Sequence, residues 1–222
     1  MKVFVTGSGT DIGKTWVTCR WVEALRQQGA SVTALKPVMS GLEGVPLEET
    51  DVGRLLQAMG REVSPSGVEA ICPWRFGPPI SPDMAAERAG TPLALEALAA
   101  FCAGVDDDHV VVEGVGGVMV PLNARELVLD WMVALGWPVV VVTGSYLGAL
   151  SHTLTAVKSV TTAGLEVAAV VVSQSLDEPV PLQESMEAIQ RFVDVPVLAA
   201  RRGQDLDDEV VQTLIARVEA LQ

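Results

Sequence analysis

The stretch KVFVTGSGTDIGKTW, residues 2–16, decides the fold. A short apolar run, KVFVT, ends in Gly7-Ser8-Gly9-Thr10-Asp11-Ile12-Gly13-Lys14-Thr15, and a helix-like pattern begins at once. The strict phosphate-loop spacing is Gly, four residues, then Gly-Lys-Ser/Thr. Here five residues separate Gly7 from Gly13, with Ser8 in the strict glycine position. The physical parts remain: glycines for a tight backbone, consecutive N–H groups, and the positive end of a helix. Lys14 is expected to bridge two phosphates and the Thr15 hydroxyl to hold Mg²⁺. A glycine turn alone would explain a loose match, but a strand, a GKT and an immediate helix together point to nucleotide binding.

Working outward, β-branched apolar runs recur at 2–6, 31–36, 109–114, 138–144, 167–173 and 195–199. Most are continuous rather than alternating, as expected for strands covered on both faces of a parallel sheet. Helical stretches fall at 14–28, 82–104, 125–136, 149–163 and 181–193, with Gly29, Gly136 and Gly164 placed to stop three of them. The alternation predicts one α/β domain over residues 1–222, a doubly wound, mostly parallel sheet with helices on both faces. Ligands then gather beyond the carboxyl ends of the strands. Residues 37–82, rich in Pro and Gly, are expected to form functional loops.

Composition excludes several classes. A formal charge of −13 would repel duplex nucleic acid over most of the surface. The most apolar late segment, WPVVVVTG, is too short to span a bilayer and contains Pro138. The N-terminus has no secretory h-region, and Cys19, Cys72 and Cys102 share no metal-ligand spacing, so a reducing cytoplasm is expected. No nucleic-acid or membrane partner is anticipated.

Charged groups at strand ends carry the chemistry. Only four lysines occur, and Lys14 and Lys36 both follow strands expected to be neighbours, so both are expected to face one anionic site. A snorkelling surface lysine is the plainer alternative for Lys36. Asp51 reads either as a helix-start residue or as a ligand. Glu113 ends the buried run VVVEGVGG, where phosphate-loop enzymes place a metal-binding or water-ordering carboxylate. Thr15, Asp51 and Glu113 together offer Mg²⁺ hard oxygen ligands. His109 and His152 receive no proton-transfer role, and the tryptophans read as packing residues.

In order, VTGSGTDIGKT, LKPVMSG, Thr50-Asp51, PPISP at 78–82, VEGVGG, LDWM before WPVVVVTG, and LGALSH resemble dethiobiotin synthase, an ATP-dependent carboxylase of the phosphate-loop NTPase superfamily. The resemblance covers nearly the whole chain. It implies a homodimer acting on 7,8-diaminononanoate, CO₂ and MgATP through a carbamate and a carbamic-phosphoric anhydride. Lys36, Lys14 and Thr10 would surround the reacting groups. Thr10, Asp11, Lys36 and Ser40 would face the diamine or its carbamate, and Gly116 and Gly117 would admit it closely. The LGALSH segment, with Gly148 and Ser151, would reach the substrate carboxylate from the partner subunit. Nucleotide contacts would run through Asp11, Ile12, Gly13, Lys14, Thr15 and Trp16, then Asp51, Glu113, Gly114, Val115 and Gly116, and finally Ser173-Gln174 and Arg202-Gly203-Gln204.

The chain departs from that pattern at its edges. Ser173-Gln174 stands where Asn-Asp is frequent, and Arg202-Gly203-Gln204 where a Pro precedes a bulky apolar residue, which opens the site to nucleoside triphosphates other than ATP. Asp83, Ser151 and Ser185 replace a histidine, an asparagine and a tyrosine; the last two changes weaken the expected grip on the substrate carboxylate. A MinD/ParA-like nucleotide switch is the main alternative, but the acidic tail DLDDEVVQTLIARVEALQ lacks a basic membrane- or DNA-binding face. A cobyrinate-type amidotransferase would need a glutaminase domain. A non-catalytic nucleotide-binding subunit would not need Lys36 or Glu113.

Overall fold

The computed structural model describes residues 1–222. Its first unit is β1 (Lys2–Gly7), the loop, and α1 (Lys14–Gln27), followed by β2 (Val32–Leu35). Next come β3 (Val38–Met39), a 3₁₀ turn (Leu47–Glu49), α2 (Asp51–Ala58), α3 (Pro65–Ile71), β4 (Trp74–Arg75), α4 (Pro82–Ala89) and α5 (Leu95–Ala103). The second half runs β5 (His109–Glu113), α6 (Val128–Leu135), β6 (Val139–Gly144), α7 (Ala149–Thr162), β7 (Val167–Ser173), α8 (Leu182–Gln190), β8 (Val197–Ala200) and α9 (Asp208–Glu219).

Six strands form one parallel sheet in the order β2-β5-β1-β6-β7-β8. The runs VVVE, VVVVTG and VAAVVVS are buried along their whole length, so both faces are covered, as their lack of alternation predicts. Phe4 of β1 meets Trp131 of α6 edge to face, with centroids 5.0 Å apart and planes at 88°. Such pairs add about 0.5–1.5 kcal/mol to the area that they bury.

β1 and β2 are not neighbours. β5 lies between them, in register Lys2↔Val110 on one side and Val32↔His109 on the other. The crossover through α1 skips one position, and the later strand fills it. That insertion corrects the expected adjacency, and it sets the carboxylate that closes β5 between the loops that carry Lys14 and Lys36.

Other differences have local causes. The single helix expected over 82–104 is two, because Gly90 adopts φ 64° and caps α4, and Pro92 soon follows. Residues 37–82 carry two short helices and a two-stranded pairing among their loops. Thr50 caps α2 by accepting from Gly53 N–H at 3.0 Å, Ser64 caps α3 ahead of Pro65, and β3 pairs with β4. The helix expected from 125 starts at Val128, since Asn123 Oδ1 accepts from the Arg125 and Glu126 N–H groups and holds a turn there. The acidic tail forms α9, which buries Val210, Val211, Leu214 and Val218. Gly29, Gly136 and Gly164 end their helices with φ of 83°, 63° and 81°.

No helix is long and apolar enough to cross a membrane. The three cysteines are buried and unpaired, and burial pushes each thiol up to about 12.

Candidate active site

The loop between β1 and α1 is shaped by one left-handed glycine. Gly13 adopts φ 95°, and a Cβ there would collide with Ser173 Oγ at the end of β7. The phosphate loop and the second half of the sheet therefore touch directly. Asp11, at φ 57°, is the sole non-glycine residue with positive φ, and it lies exposed at the loop crest.

Lys14 opens α1 but points back under the loop, donating to the Gly9 carbonyl at 2.7 Å. It is 6% exposed. Burial first, and then repulsion from Lys36, bring its pKa down to about 8. A buried cation with only a carbonyl for company is set to receive an anion.

Beside it, four groups meet at the carboxyl ends of three strands. Thr15 Oγ1 donates to Glu113 Oε1 at 2.6 Å. Lys36 Nζ contacts the same oxygen at 2.5 Å and Asp51 Oδ2 at 3.0 Å. Glu113 is fully buried, and its Oε2 has no hydrogen-bond partner. Burial alone would lower the Lys36 pKa; Glu113 and then Asp51 outweigh it and hold the ammonium above its ordinary value. Burial acts to raise Asp51, yet Lys36 and the Thr15 hydroxyl bring its carboxyl below the usual range.

Lys14, Thr15, Lys36 and Asp51 line a cleft of about 280 Å³ that also takes in Thr10, Asp11, Gly13, Trp16, Ser40, Val115 and Gly116, while Glu113 is buried beneath Lys36 and Thr15. Two residues not anticipated from sequence join them, Met39 and Arg54. Arg54 lies three residues after Asp51 on α2, one helical turn along, and that spacing was the available signal. A larger depression of about 1160 Å³, bordered by Met119, Leu129, Leu154 and Phe192, lies elsewhere. The charged groups converge in the smaller cleft, which makes it the candidate site.

Other expected site residues are placed differently. The backbone of Gly114 packs on the Phe4 ring, where a Cβ would lie 2.8 Å from the ring edge. Gly117 packs against the phosphate loop, and Ile12 folds over Gly7. Gly148 and Ser151 line a separate cavity of about 560 Å³ together with Ser185. Within one chain they do not reach Lys36. Gln174 donates to Glu178 at 2.9 Å and accepts from Arg202 N–H at 3.3 Å, which ties the end of β7 to the exposed 201–204 turn holding Gly203 and Gln204.

A divalent ion fits this donor set. Magnesium takes one or two carboxylates with waters and phosphate oxygens, rather than a full protein cage. Two carboxylates and a hydroxyl converge, one buried carboxylate oxygen is unsatisfied, and a cation already stands among them.

Comparison with known proteins places this geometry. A family described as an AAA domain matches residues 1–201. ATP-dependent dethiobiotin synthetases are similar along most of the chain. That of Methylobacterium nodulans is 45% identical over 209 residues, covering 90% of this chain and 93% of its own. That of Caulobacter sp. strain K31 is 45% identical, covering 92% and 90%.

The chain belongs to the dethiobiotin synthetase family.

Solved structures show the fold that this synthetase shares more widely. MinD of Pyrococcus furiosus superimposes with a TM-score of 0.55 at 14% identity, covering all of this chain and 99% of its own. A ParA-family ATPase of Chlorobium tepidum gives 0.52 at 16%, covering 99% and 91%. At this identity the likeness is one of fold alone.

Proposed function

We propose that this protein closes the ureido ring of dethiobiotin from 7,8-diaminononanoate, CO₂ and ATP. One substrate amine adds to CO₂, forming a C–N bond and losing a proton, to give a carbamate. A carbamate oxygen attacks the γ-phosphorus and ADP leaves, giving a carbamic-phosphoric anhydride. The second amine attacks the carbonyl carbon and phosphate leaves, completing the ring.

The observation that carries this reading is two buried lysines at one cleft, Lys36 paired with Glu113 and Asp51 and Lys14 beside them with only the Gly9 carbonyl as partner. Carbamate and γ-phosphoryl are both anions, and bringing them together needs fixed positive charge. Lys14 and the loop N–H groups hold the phosphates. Lys36 faces the carbamate, with Thr10 and Ser40 as hydroxyl partners. Asp11 serves as counter-ion to the substrate ammonium. Thr15, Asp51 and Glu113 are the residues to hold Mg²⁺, which when bound neutralises phosphate oxygens.

The working unit in this reading is a cytoplasmic homodimer in which Gly148 and Ser151 of one subunit approach the substrate carboxylate in the other. Their separation from Lys36 within one chain supports that arrangement. The nucleotide base would lie near Ser173-Gln174 and the 201–204 turn, and with no Asn there CTP and GTP are also candidate substrates.

Phosphate release measured with and without diamine, in bicarbonate and MgATP, tests the reading. Release that requires the diamine and yields dethiobiotin is expected. Release indifferent to the diamine would favour a nucleotide switch, and no release would leave a binding subunit.

A further inference from the structure

The cleft is lined by three cationic side chains, Lys14, Lys36 and Arg54. Lys36 is engaged by Glu113 and Asp51, and Lys14 points under the phosphate loop to the Gly9 carbonyl. Arg54 is exposed, and its guanidinium has neither an ion-pair nor a hydrogen-bond partner. Even Asp51, one turn back on the same helix, is turned to Lys36 instead.

The position of Arg54 works against the helix that carries it. Its N–H closes the first hydrogen bond of α2, on the Thr50 carbonyl at 3.0 Å, so the cation stands at the positive end of the helix dipole. That end is fixed in place, because the Leu47 carbonyl packs so closely on Gly53 that a Cβ there would collide with it. Helical side chains lean toward the N-terminus, which brings the Arg54 side chain back to the cleft. An unpartnered guanidinium held against a dipole at the edge of an anion site is a group kept for a ligand.

We propose that Arg54 is a catalytic residue, whose guanidinium takes the γ-phosphoryl group of the nucleotide and stays on it during transfer. The inference rests on the synthesis proposed above and names a further residue for its second step. In that step a bond forms between the carbamate oxygen and the γ-phosphorus. The bond from γ-phosphorus to the bridging oxygen breaks, its electron pair leaves on ADP, and no proton moves. Lys14 serves the phosphates, while Lys36 shares its charge with two carboxylates. Arg54 is the one cation of the cleft left uncommitted, and its planar fork matches two phosphoryl oxygens at once.

Wild-type, Arg54→Gln and Arg54→Lys proteins test this. Calorimetric titration compares MgADP with the imido analogue of MgATP, which carries the additional phosphoryl group. Arg54→Gln is expected to weaken the analogue on the order of tenfold and to leave ADP within about twofold, with Arg54→Lys in between. In turnover with diamine and bicarbonate, kcat of Arg54→Gln is expected to fall on the order of a hundredfold or more, with the diamine KM within about twofold. The melting temperature without nucleotide should not fall, since no partner is lost and an unfavourable charge leaves the helix end. Equal weakening of ADP and the analogue would refute the contact, and so would a raised diamine KM with analogue affinity intact, which would move Arg54 to the carbamate. Wild-type protein that forms no dethiobiotin would overturn the synthesis on which this rests. Wild-type synthesis, with Arg54→Gln unchanged in both titrations and in kcat, would overturn the role of Arg54 alone.

Discussion

Replacing Glu113 by glutamine removes one charge and almost no volume, which makes it a sharp probe of the cleft. The side chain is fully buried and accepts from both Lys36 and Thr15. Breaking a buried ion pair by removing one partner costs about 3–5 kcal/mol. Two features hold the loss near the lower limit. The amide oxygen still accepts a hydrogen bond, and Lys36 keeps Asp51 at 3.0 Å, though that carboxylate is 40% exposed. A loss of about 3 kcal/mol in a domain of this size lowers Tm by roughly 6–12 °C. Circular-dichroism melts in EDTA measure it. Lys36→Met is expected to fall at least as far, since it leaves Glu113 buried without a counter-charge.

The double variant Glu113→Gln with Lys36→Met decides the reasoning. With both charges gone, the remaining Asp51 can be solvated, and stability should return to within about 1 kcal/mol of wild type. Phosphate release should stay lost. A double variant as unstable as the sum of the two single ones would show that the groups do not interact, and the electrostatic account of the cleft would fail.

Lys14 should behave in the opposite sense from Lys36. Its folded pKa of about 8 is below the unfolded value, so its charge opposes folding below pH 8, and the penalty fades as pH rises from about 8 to about 10.4. Lys14→Met is therefore expected to stabilise the nucleotide-free protein at neutral pH by about 3 kcal/mol at most, read as a higher Tm, while abolishing nucleotide-induced stabilisation. Binding a triphosphate should raise the Lys14 pKa, so calorimetry near pH 8 in buffers of differing ionisation enthalpy should reveal proton uptake; none would refute the burial argument. Asp51 titrates below, and Lys36 above, its ordinary value, so their contribution is present between about pH 4 and 10 and disappears as pH falls through the Asp51 value or rises through that of Lys36. Lys36→Ala should reduce turnover on the order of a hundredfold or more. By contrast, Arg20→Ala breaks an ion pair with Asp205, whose side chain is 84% exposed, and should cost less than about 1 kcal/mol.

Much of this was readable because local chemistry and position agreed. A GKT after an apolar run and before a helical one has few other meanings, and the scarcity of lysines drew attention to Lys36. Glu113 stood out as a carboxylate closing a run of valines. What sequence did not reveal was tertiary in origin. Nothing within β1 or β2 announces that β5 will enter between them, because strand order is set by crossovers and not by the strands themselves. Arg54 was legible only in part: it lies one helical turn after Asp51, but a lone exposed arginine on a short helix is ordinary until the helix is docked. Other misses were legible. Thr50 with Asp51, and Ser64 before Pro65, are helix-start signals within a segment taken for loop. Gly90-Thr91-Pro92 marks a break within one predicted helix.

The placement of β1 in the middle of the sheet bears on how the chain is made. Its flanks pair with residues 110–113 and 139–142, so this strand, once it has left the ribosome, waits for partners encoded far downstream. At ~5–20 residues per second, the first of them appears roughly 5–20 s later. Throughout that interval KVFVTG travels as a bare apolar segment, and the nucleotide loop joined to it has no shape. Newly synthesised chains therefore acquire their capacity for phosphate late, in one step, when β5 and β6 close on either side of β1.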